Sequence, residues 1–224
     1  YTADRCHREE KMRKAIVTGL ALAGMMSVGT AFADGERAGD FDYYVLAMSW
    51  SPTWCALEGD DRNSPQCDRQ LGWVLHGLWP QYERGWPSYC NTMVRDPSKR
   101  QTSAMADIMG TDGAAWYQWK KHGRCAGLEA QDYLDTSREA FENITRPAAF
   151  QSLTKDVLVP ASVIEQAFMS VNDGLDRDEI TVTCKDNRIQ EVRICLSKDL
   201  EPRTCGQDTI RDCTLDKARL DKID

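Results

Sequence analysis

The sequence predicts an α+β fold in which several helices pack on an antiparallel central sheet. Two observations indicate the sheet: residues 41–50 form an apolar and aromatic run, and the strand-like residues 179–184 and 189–196 flank a short polar turn. A third observation concerns order, because helical segments are grouped between these strands and do not alternate with them. Grouping of this kind argues against a doubly wound fold.

Other segments add strands and loops to this framework. Apolar residues 71–79 predict a second strand, which we expect to end at Pro80. Residues 59–70 and 84–100 are rich in turn-forming residues and predict irregular connections. Residues 185–188 predict the turn of the later hairpin.

The first predicted helix has recognisable start and stop signals. Thr111 or Asp112 can cap a helix that runs to Lys121, and Gly123 follows as a C-terminal stop. Residues 130–143 predict a second helix, because good helix formers continue up to a nearby proline.

A third helix is predicted over residues 163–171. Ser162 and Glu165 have the spacing of a capping box, in which each side chain bonds to the backbone of the other residue.

The overall charge excludes one class of protein. The 224 residues include 28 Lys and Arg against 35 Asp and Glu, for a net charge of -7. An acidic chain offers no general basic face for holding a polyanion without specificity. Any contact with nucleic acid is therefore expected to be confined to a local cleft.

The first 33 residues are not expected to form part of the folded domain. Residues 12–33 begin with basic residues, continue through small apolar ones and end in Ala31-Phe32-Ala33. This pattern is typical of a secretory signal peptide, and a membrane-spanning helix is less favoured because the segment is rich in small residues. We interpret residues 1–11 as an upstream extension and residues 34–224 as one domain of a secreted or periplasmic protein.

Cleavage after Ala33 would remove Cys6 and His7. Of the nine cysteines and three histidines of the chain, eight and two would remain. An even number of cysteines in an exported chain predicts four disulfides. A zinc site would need paired cysteines or cysteine and histidine clusters at short spacing, which the sequence lacks. We therefore expect no metal, no cofactor and no stable membrane association.

Spacing alone leaves the connectivity of the cysteines open. Their clustering suggests a local bridge near Cys55 and Cys67, a longer one through Cys90 and Cys125, and two more near the C-terminus.

Both remaining histidines lie among aromatic residues and glycines. His76 belongs to the segment LHGLWPQ, and His122 to WYQWKKHGRC on the first predicted helix. On that helix Gln118 and His122 are four residues apart and Gln118 and Lys121 three, so all three share one face. A structural or surface role is the ordinary reading of a single histidine.

Two imidazoles and one ammonium group at a common cleft are suited to cleaving RNA without a metal. One neutral histidine accepts the proton of the 2′-hydroxyl, the other, protonated, donates to the leaving 5′-oxygen, and lysine stabilises the charge on phosphorus. The nucleophile belongs to the substrate, so DNA should not be cleaved.

The two segments closely resemble the active-site segments of the ribonuclease T2 family of secreted acid ribonucleases. The first, LHGLWPQ, matches the family's first active-site segment. The second, WYQWKKHGRC, corresponds to a family pattern that usually reads H-E-W-x-K-H-G-x-C. The residues YVLAMSWSPTWC also resemble the first strand of that family. The resemblance implies an α+β fold and endonucleolytic cleavage of single-stranded RNA through a 2′,3′-cyclic phosphate to 3′-phosphate ends, by a monomer.

The resemblance also assigns roles to residues. It implies that His122 is the general base, His76 the general acid and Lys121 the stabiliser of the transition state. Trp79 resembles an aromatic residue that contacts a base, although a packed core tryptophan is the alternative. Tyr117, Gln81 and Tyr82 are further candidates for substrate binding.

Four disulfides are implied by the same resemblance. The pairs are Cys55 with Cys67, Cys90 with Cys125, Cys184 with Cys213, and Cys195 with Cys205.

One departure from the family pattern concerns catalysis directly. Tyr117-Gln118 replaces the usual His-Glu pair. Gln118 remains a catalytic candidate, because its amide can donate a hydrogen bond to a phosphate oxygen, although it cannot take up or release a proton. We expect activity to be retained because both histidines and Lys121 are present. The alternative is an exported module that binds RNA or a partner with little catalysis.

Overall fold

The computed structural model describes residues 36–223. The predicted leader over residues 12–33 and the extension over residues 1–11 lie outside this range. Among the described residues, no helix has the length and apolar character needed to cross a membrane.

Six strands form one sheet in the described part of the chain, as an antiparallel arrangement with one exception. Its order is β2-β1-β5-β6-β3, with β4 also paired to β5, and the contact between β5 and β6 is parallel. The strands are β1 (Tyr43–Trp50), β2 (Trp73–Gln81), β3 (Val157–Val159), β4 (Ile180–Lys185), β5 (Arg188–Leu196) and β6 (Ala218–Leu220). The predicted α+β class is confirmed.

Helices occupy the segments between the strands. They are α1 (Ser51–Trp54), α2 (Lys99–Ser103), α3 (Ala106–Met109), α4 (Asp112–Lys121), α5 (Ala130–Asn143) and α6 (Ala161–Met169). A π-helical turn, Cys55–Gly59, follows α1, and a 3₁₀ turn, Gly123–Ala126, follows α4.

Alternation along β1 separates two cores. Tyr44, Leu46 and Met48 belong to the large cluster that includes side chains of the helices, whereas Tyr43 and Val45 belong to a small cluster beside the Cys195–Cys205 disulfide. Successive strand residues point to opposite faces, so one face of β1 packs on the helices. The other face lies towards the site described below.

One predicted strand end is wrong. Pro80 does not end the second strand, which continues to Gln81, because β2 lies at the edge of the sheet where a residue without an N–H group is tolerated. Gly123 follows the first helix, which ends at Lys121 as predicted, but it is not in a left-handed conformation. It begins the 3₁₀ turn, and Gly127 has the positive φ of 73° that ends it.

The predicted capping box of α6 is also wrong. The helix begins at Ala161 after Pro160, and no side chain caps it. Glu165 is instead buried. Burial and the neighbouring carboxylate of Asp212 raise its pKa to about 7. The hairpin of β4 and β5 is confirmed, with Asp186 and Asn187 at positive φ in a two-residue turn.

The structure contains the four disulfides that the family resemblance implies. They join Cys55 to Cys67, Cys90 to Cys125, Cys184 to Cys213, and Cys195 to Cys205. Asp60 lies near the first pair, in a group whose possible ligand atoms are within 4.8 Å of one another. Because both sulfurs there are bonded to each other, the group offers no thiolate to a metal ion.

Candidate active site

His76 occupies a β-bulge in β2. The pairing with β1 places Gly77 opposite Ala47 and Leu75 opposite Met48, so that His76 has no partner residue on that strand. Bulges redirect side chains and are frequent beside active sites. The His76 side chain is 40% exposed, which leaves part of the imidazole accessible to a ligand.

Glu191 on β5 contacts His76 on β2 across the intervening strand β1. Its Oε1 lies 2.5 Å from Nδ1 of His76, and its Oε2 accepts hydrogen bonds from Nε and Nη2 of Arg193 at 2.9 and 2.7 Å. Burial raises the pKa of Glu191, but the hydrogen bond and charge of His76, together with Arg193, outweigh it and lower the pKa to about 2. An ionised carboxylate only accepts hydrogen bonds, so Nδ1 of His76 is the donor and Nε2 remains for a ligand.

Helix α4 positions the second histidine. Thr111 caps the helix as predicted, because its Oγ1 accepts a hydrogen bond from the backbone N–H of Ala114 at 3.2 Å. His122 follows the last helical residue, and its backbone N–H donates to the carbonyl of Gln118 at 2.9 Å. The helix end thereby fixes where the imidazole lies.

The surroundings of His122 favour its neutral form. The residue is only 6% exposed. Burial lowers its pKa well below 6.5, and the charges of Lys121 and His76 lower it further. Among residues 36–223, Nδ1 of His122 has no hydrogen-bond partner. The side chain is therefore an unprotonated base at neutral pH.

Trp79 lies between the two histidines and contacts both. Its ring centroid is 5.2 Å from that of His76, edge to face, and 5.2 Å from that of His122, stacked. Its Nε1 donates to Oε1 of Gln118 at 2.8 Å, and the guanidinium of Arg193 lies 5.3 Å from its centroid. These contacts make Trp79 a support for His122.

Gly77 allows β2 and α4 to approach this closely. A Cβ atom at this position would lie 2.4 Å from Oε1 of Gln118 and 2.5 Å from Nε1 of Trp79. Both distances are far below van der Waals contact, so any larger residue would displace the hydrogen bond that joins the strand to the helix.

One cleft of about 390 Å³ brings most of the predicted site residues together, and we call it the histidine cleft. Its lining includes the predicted residues His76, Trp79, Gln81, Tyr117, Gln118, Lys121 and His122. Tyr82 does not line it. That side chain packs on the large core, and burial together with the carboxylates of Glu36 and Asp40 raises its pKa.

The comparisons with known proteins agree with this site. A family model described as the ribonuclease T2 family matches residues 41–205. The chain belongs to the ribonuclease T2 family. Both histidine segments lie within the matched residues.

Two bacterial relatives share part of this region. The chain is 46% identical over 123 residues to a ribonuclease of Aeromonas hydrophila, covering 54% of each chain. It is 34% identical over 131 residues to a probable ribonuclease of Haemophilus influenzae, covering 52% of this chain and 47% of that one. The chain thus matches about half the length of each relative.

Solved structures of the family share the fold. The structure of trichomaglin, an S-like ribonuclease, has a TM-score of 0.64 at 22% identity and covers 83% of this chain and 100% of that one.

Two residues depart from the usual His-Glu pair of the family at the centre of the site. Tyr117 is 50% exposed, and its ring lines the histidine cleft. Gln118 is buried and bonded to Trp79. The replacement has therefore produced one accessible aromatic surface and one structural amide.

Sequence reasoning missed several residues of the cleft. Trp86 is 51% exposed, and its loop is held by a 2.5 Å hydrogen bond from the backbone N–H of Gly85 to Asp208. Arg193 and Arg211 also line the cleft, but they come from distant segments that carry no local motif.

A second cleft of about 700 Å³, which we call the adjoining cleft, meets the first. His76 and Tyr117 line both clefts, and the second has an apolar wall that includes Trp54, Leu57 and Met109. The exposed histidine therefore lies where the two clefts meet.

Proposed function

We propose that this protein is a metal-independent endoribonuclease that cleaves single-stranded RNA through a 2′,3′-cyclic phosphate to 3′-phosphate ends. The observation that carries the proposal is the pair of histidines at one cleft, one buried and neutral and the other held by a carboxylate. Their different surroundings suit the two opposite proton transfers of this reaction.

His122 is the general base of this mechanism. Its lowered pKa keeps the imidazole unprotonated well into the acid range, so it can accept the proton of the 2′-hydroxyl there. The 2′-oxygen then forms its bond to phosphorus.

His76 is the general acid, and Lys121 stabilises the phosphorane. As the bond from phosphorus to the 5′-oxygen breaks, its electron pair stays on the oxygen, which takes the proton of Nε2 of His76. Lys121 lines the same cleft, and no carboxylate among residues 36–223 forms an ion pair with it. Its charge is thus available to the phosphoryl oxygens.

The two clefts support RNA as the substrate. His76 lies where they meet, so a phosphodiester there places one nucleoside in each cleft. Trp86 and Tyr117 offer half-exposed rings for base stacking, which suits unpaired RNA. DNA lacks the attacking 2′-hydroxyl and is not a substrate.

An optimum on the acid side of neutral follows from the charges. Acidification weakens the repulsion between an acidic chain and RNA, while the lowered pKa of His122 keeps this base unprotonated. An optimum above pH 8 would contradict this expectation.

The alternative function is an RNA-binding or partner-binding module with little catalysis, favoured by the Tyr117-Gln118 replacement. Both functions are compatible with an exported, disulfide-bonded monomer without stable membrane association.

Digestion of a short single-stranded RNA in EDTA separates these functions. We expect rapid cleavage, with a cyclic phosphate and then a 3′-phosphate identified by mass. A DNA oligonucleotide of the same sequence is the matched control and should remain intact. Binding of the RNA without turnover would instead support the alternative function.

A further inference from the structure

We propose that Glu191 is a positioning residue for RNA cleavage, which holds His76 through Nδ1 so that the Nε2 proton faces the histidine cleft. The proposal rests on the proposed function and concerns a residue that lies in neither histidine segment. Glu191 acts through His76 and does not itself touch the reacting atoms.

The bulge in β2 creates the need for such a residue. His76 has no partner residue on β1, and its side chain is 40% exposed. A side chain this open has few packing contacts to fix its rotation. Among residues 36–223, Glu191 is the one carboxylate within hydrogen-bond distance of either histidine of the cleft.

Glu191 is itself rigidly held. The residue is only 3% exposed and both of its oxygens have partners. Arg193 donates two hydrogen bonds to Oε2, while the hydroxyl of Ser49 lies 3.5 Å from Oε1. Ser49 is the residue opposite Glu191 on β1, so the sheet itself sets the distance from Glu191 to the bulge.

The position of Glu191 also bears on the replacement of the family's usual glutamate by Gln118. The usual carboxylate of the family's second segment is absent from α4, and the buried amide there bonds to Trp79. The negative charge beside the catalytic pair comes instead from β5. Glu191 therefore supplies, from another element, a carboxylate that bonds to Nδ1 of His76.

The consequence for proton transfer is specific. The low pKa of Glu191 keeps the shared proton on Nδ1 of His76, so the carboxylate orients the ring and does not take the proton. When Nε2 loses its proton to the leaving 5′-oxygen, His76 becomes neutral with Nδ1–H still donated to Glu191. The correct tautomer for the next turnover is thereby retained.

Other charged groups also line the two clefts around His76. The carboxylates that line the two clefts are Glu58, Glu191 and Asp208. The cations are Arg62, Lys121, Arg193 and Arg211, and the neutral base His122 is a further titratable group. The test therefore changes one group at a time and keeps the others.

Glu191→Gln is the central variant, because it keeps the shape of the side chain and removes the charge. We expect kcat for a short single-stranded RNA to fall about 10- to 100-fold with KM changed less than about 3-fold, as for loss of other groups that orient a functional histidine. The alkaline limb of the profile of kcat/KM against pH should move to lower pH. Glu191→Asp keeps the charge one methylene shorter and should recover part of kcat.

Two controls separate positioning from loss of folding. Asp107→Asn breaks another carboxylate–arginine pair, that of the exposed Asp107 with Arg138, which lies outside both clefts, and should leave kcat unchanged. The ¹⁵N shifts of the His76 ring report the tautomer in RNA-free protein. Neutral His76 should carry its proton on Nδ1 in the parent and shift towards Nε2 in Glu191→Gln, because glutamine can donate as well as accept.

The outcomes distinguish this proposal from the function on which it rests. An active parent with Glu191→Gln at the same kcat and pH profile, or with unchanged ring shifts, would overturn the role of Glu191 and leave the ribonuclease proposal standing. A parent that does not cleave RNA would overturn both.

Discussion

The two histidines of the cleft contact the same tryptophan but differ in what else surrounds them. His76 is part exposed and bonded to an ionised carboxylate, whereas His122 is buried, lies beside Lys121 and has no partner on Nδ1 among the described residues. A carboxylate favours the protonated imidazole, and burial beside a cation favours the neutral one. The contrast teaches that position in the fold, and not residue type, suits one histidine to the proposed role of acid and the other to the proposed role of base.

Substitution of each histidine by alanine should have the largest effect and tests whether the two histidines have different roles. On RNA, both His76→Ala and His122→Ala should lower kcat/KM by about 10³-fold or more, because each removes one proton transfer. A uridine 3′-phosphate ester with a nitrophenol leaving group needs no general acid. On that ester His122→Ala should lose as much as on RNA, and His76→Ala far less.

The melting temperature of each variant shows whether it folds. An equal loss for His76→Ala on both substrates would contradict its assignment as the acid.

Lys121→Met tests the charge that distinguishes the two environments. Loss of the ammonium group should lower kcat/KM about 100-fold by removing stabilisation of the phosphorane. Lys121 lowers the pKa of His122, so its removal raises that pKa. A base is active above its pKa, and the acid limb of the pH profile should therefore move to higher pH.

Lys120→Met is the matched control, because the neighbouring lysine does not line the histidine cleft. An unshifted acid limb in Lys121→Met would show that this charge does not act on the base.

Of these substitutions, Gln118→Glu should change activity least, and it tests how a charge beside His122 affects the difference between the two histidines. A carboxylate at this position can still accept the hydrogen bond from Trp79, and we expect activity at the optimum within about 5-fold of the parent. Its charge should raise the pKa of His122 and move the acid limb to higher pH. Measurement of kcat/KM from pH 4 to pH 8 gives both quantities. Complete loss of activity would mean that the amide has a role beyond supporting Trp79.

Local sequence signals predicted much of the fold. A continuous apolar and aromatic run located β1, the cap at Thr111 located the start of α4, and turn residues located the hairpin of β4 and β5. The same local rules failed at two residues whose structural role is set by their position in the folded protein. Pro80 continues a strand because that strand is at an edge, and Glu165 is buried instead of capping.

The candidate site was predictable where it lies within one segment. Gln118, Lys121 and His122 do line one cleft, as helical spacing predicts. Glu191 was not predictable, because it is 115 residues from His76 and their contact depends on a bulge and on strand register. Neither feature has a signal in a single sequence.

Pro80 has a further consequence for the strand that carries His76 and Trp79. An edge strand presents free backbone groups that can pair with a strand of another molecule and extend the sheet. Proline has no N–H group to offer, so it interrupts this template one residue after Trp79. The residue that we expected to end the strand thus removes one backbone donor from this edge, where the carbonyl of Leu78 is already bonded to the hydroxyl of Tyr133.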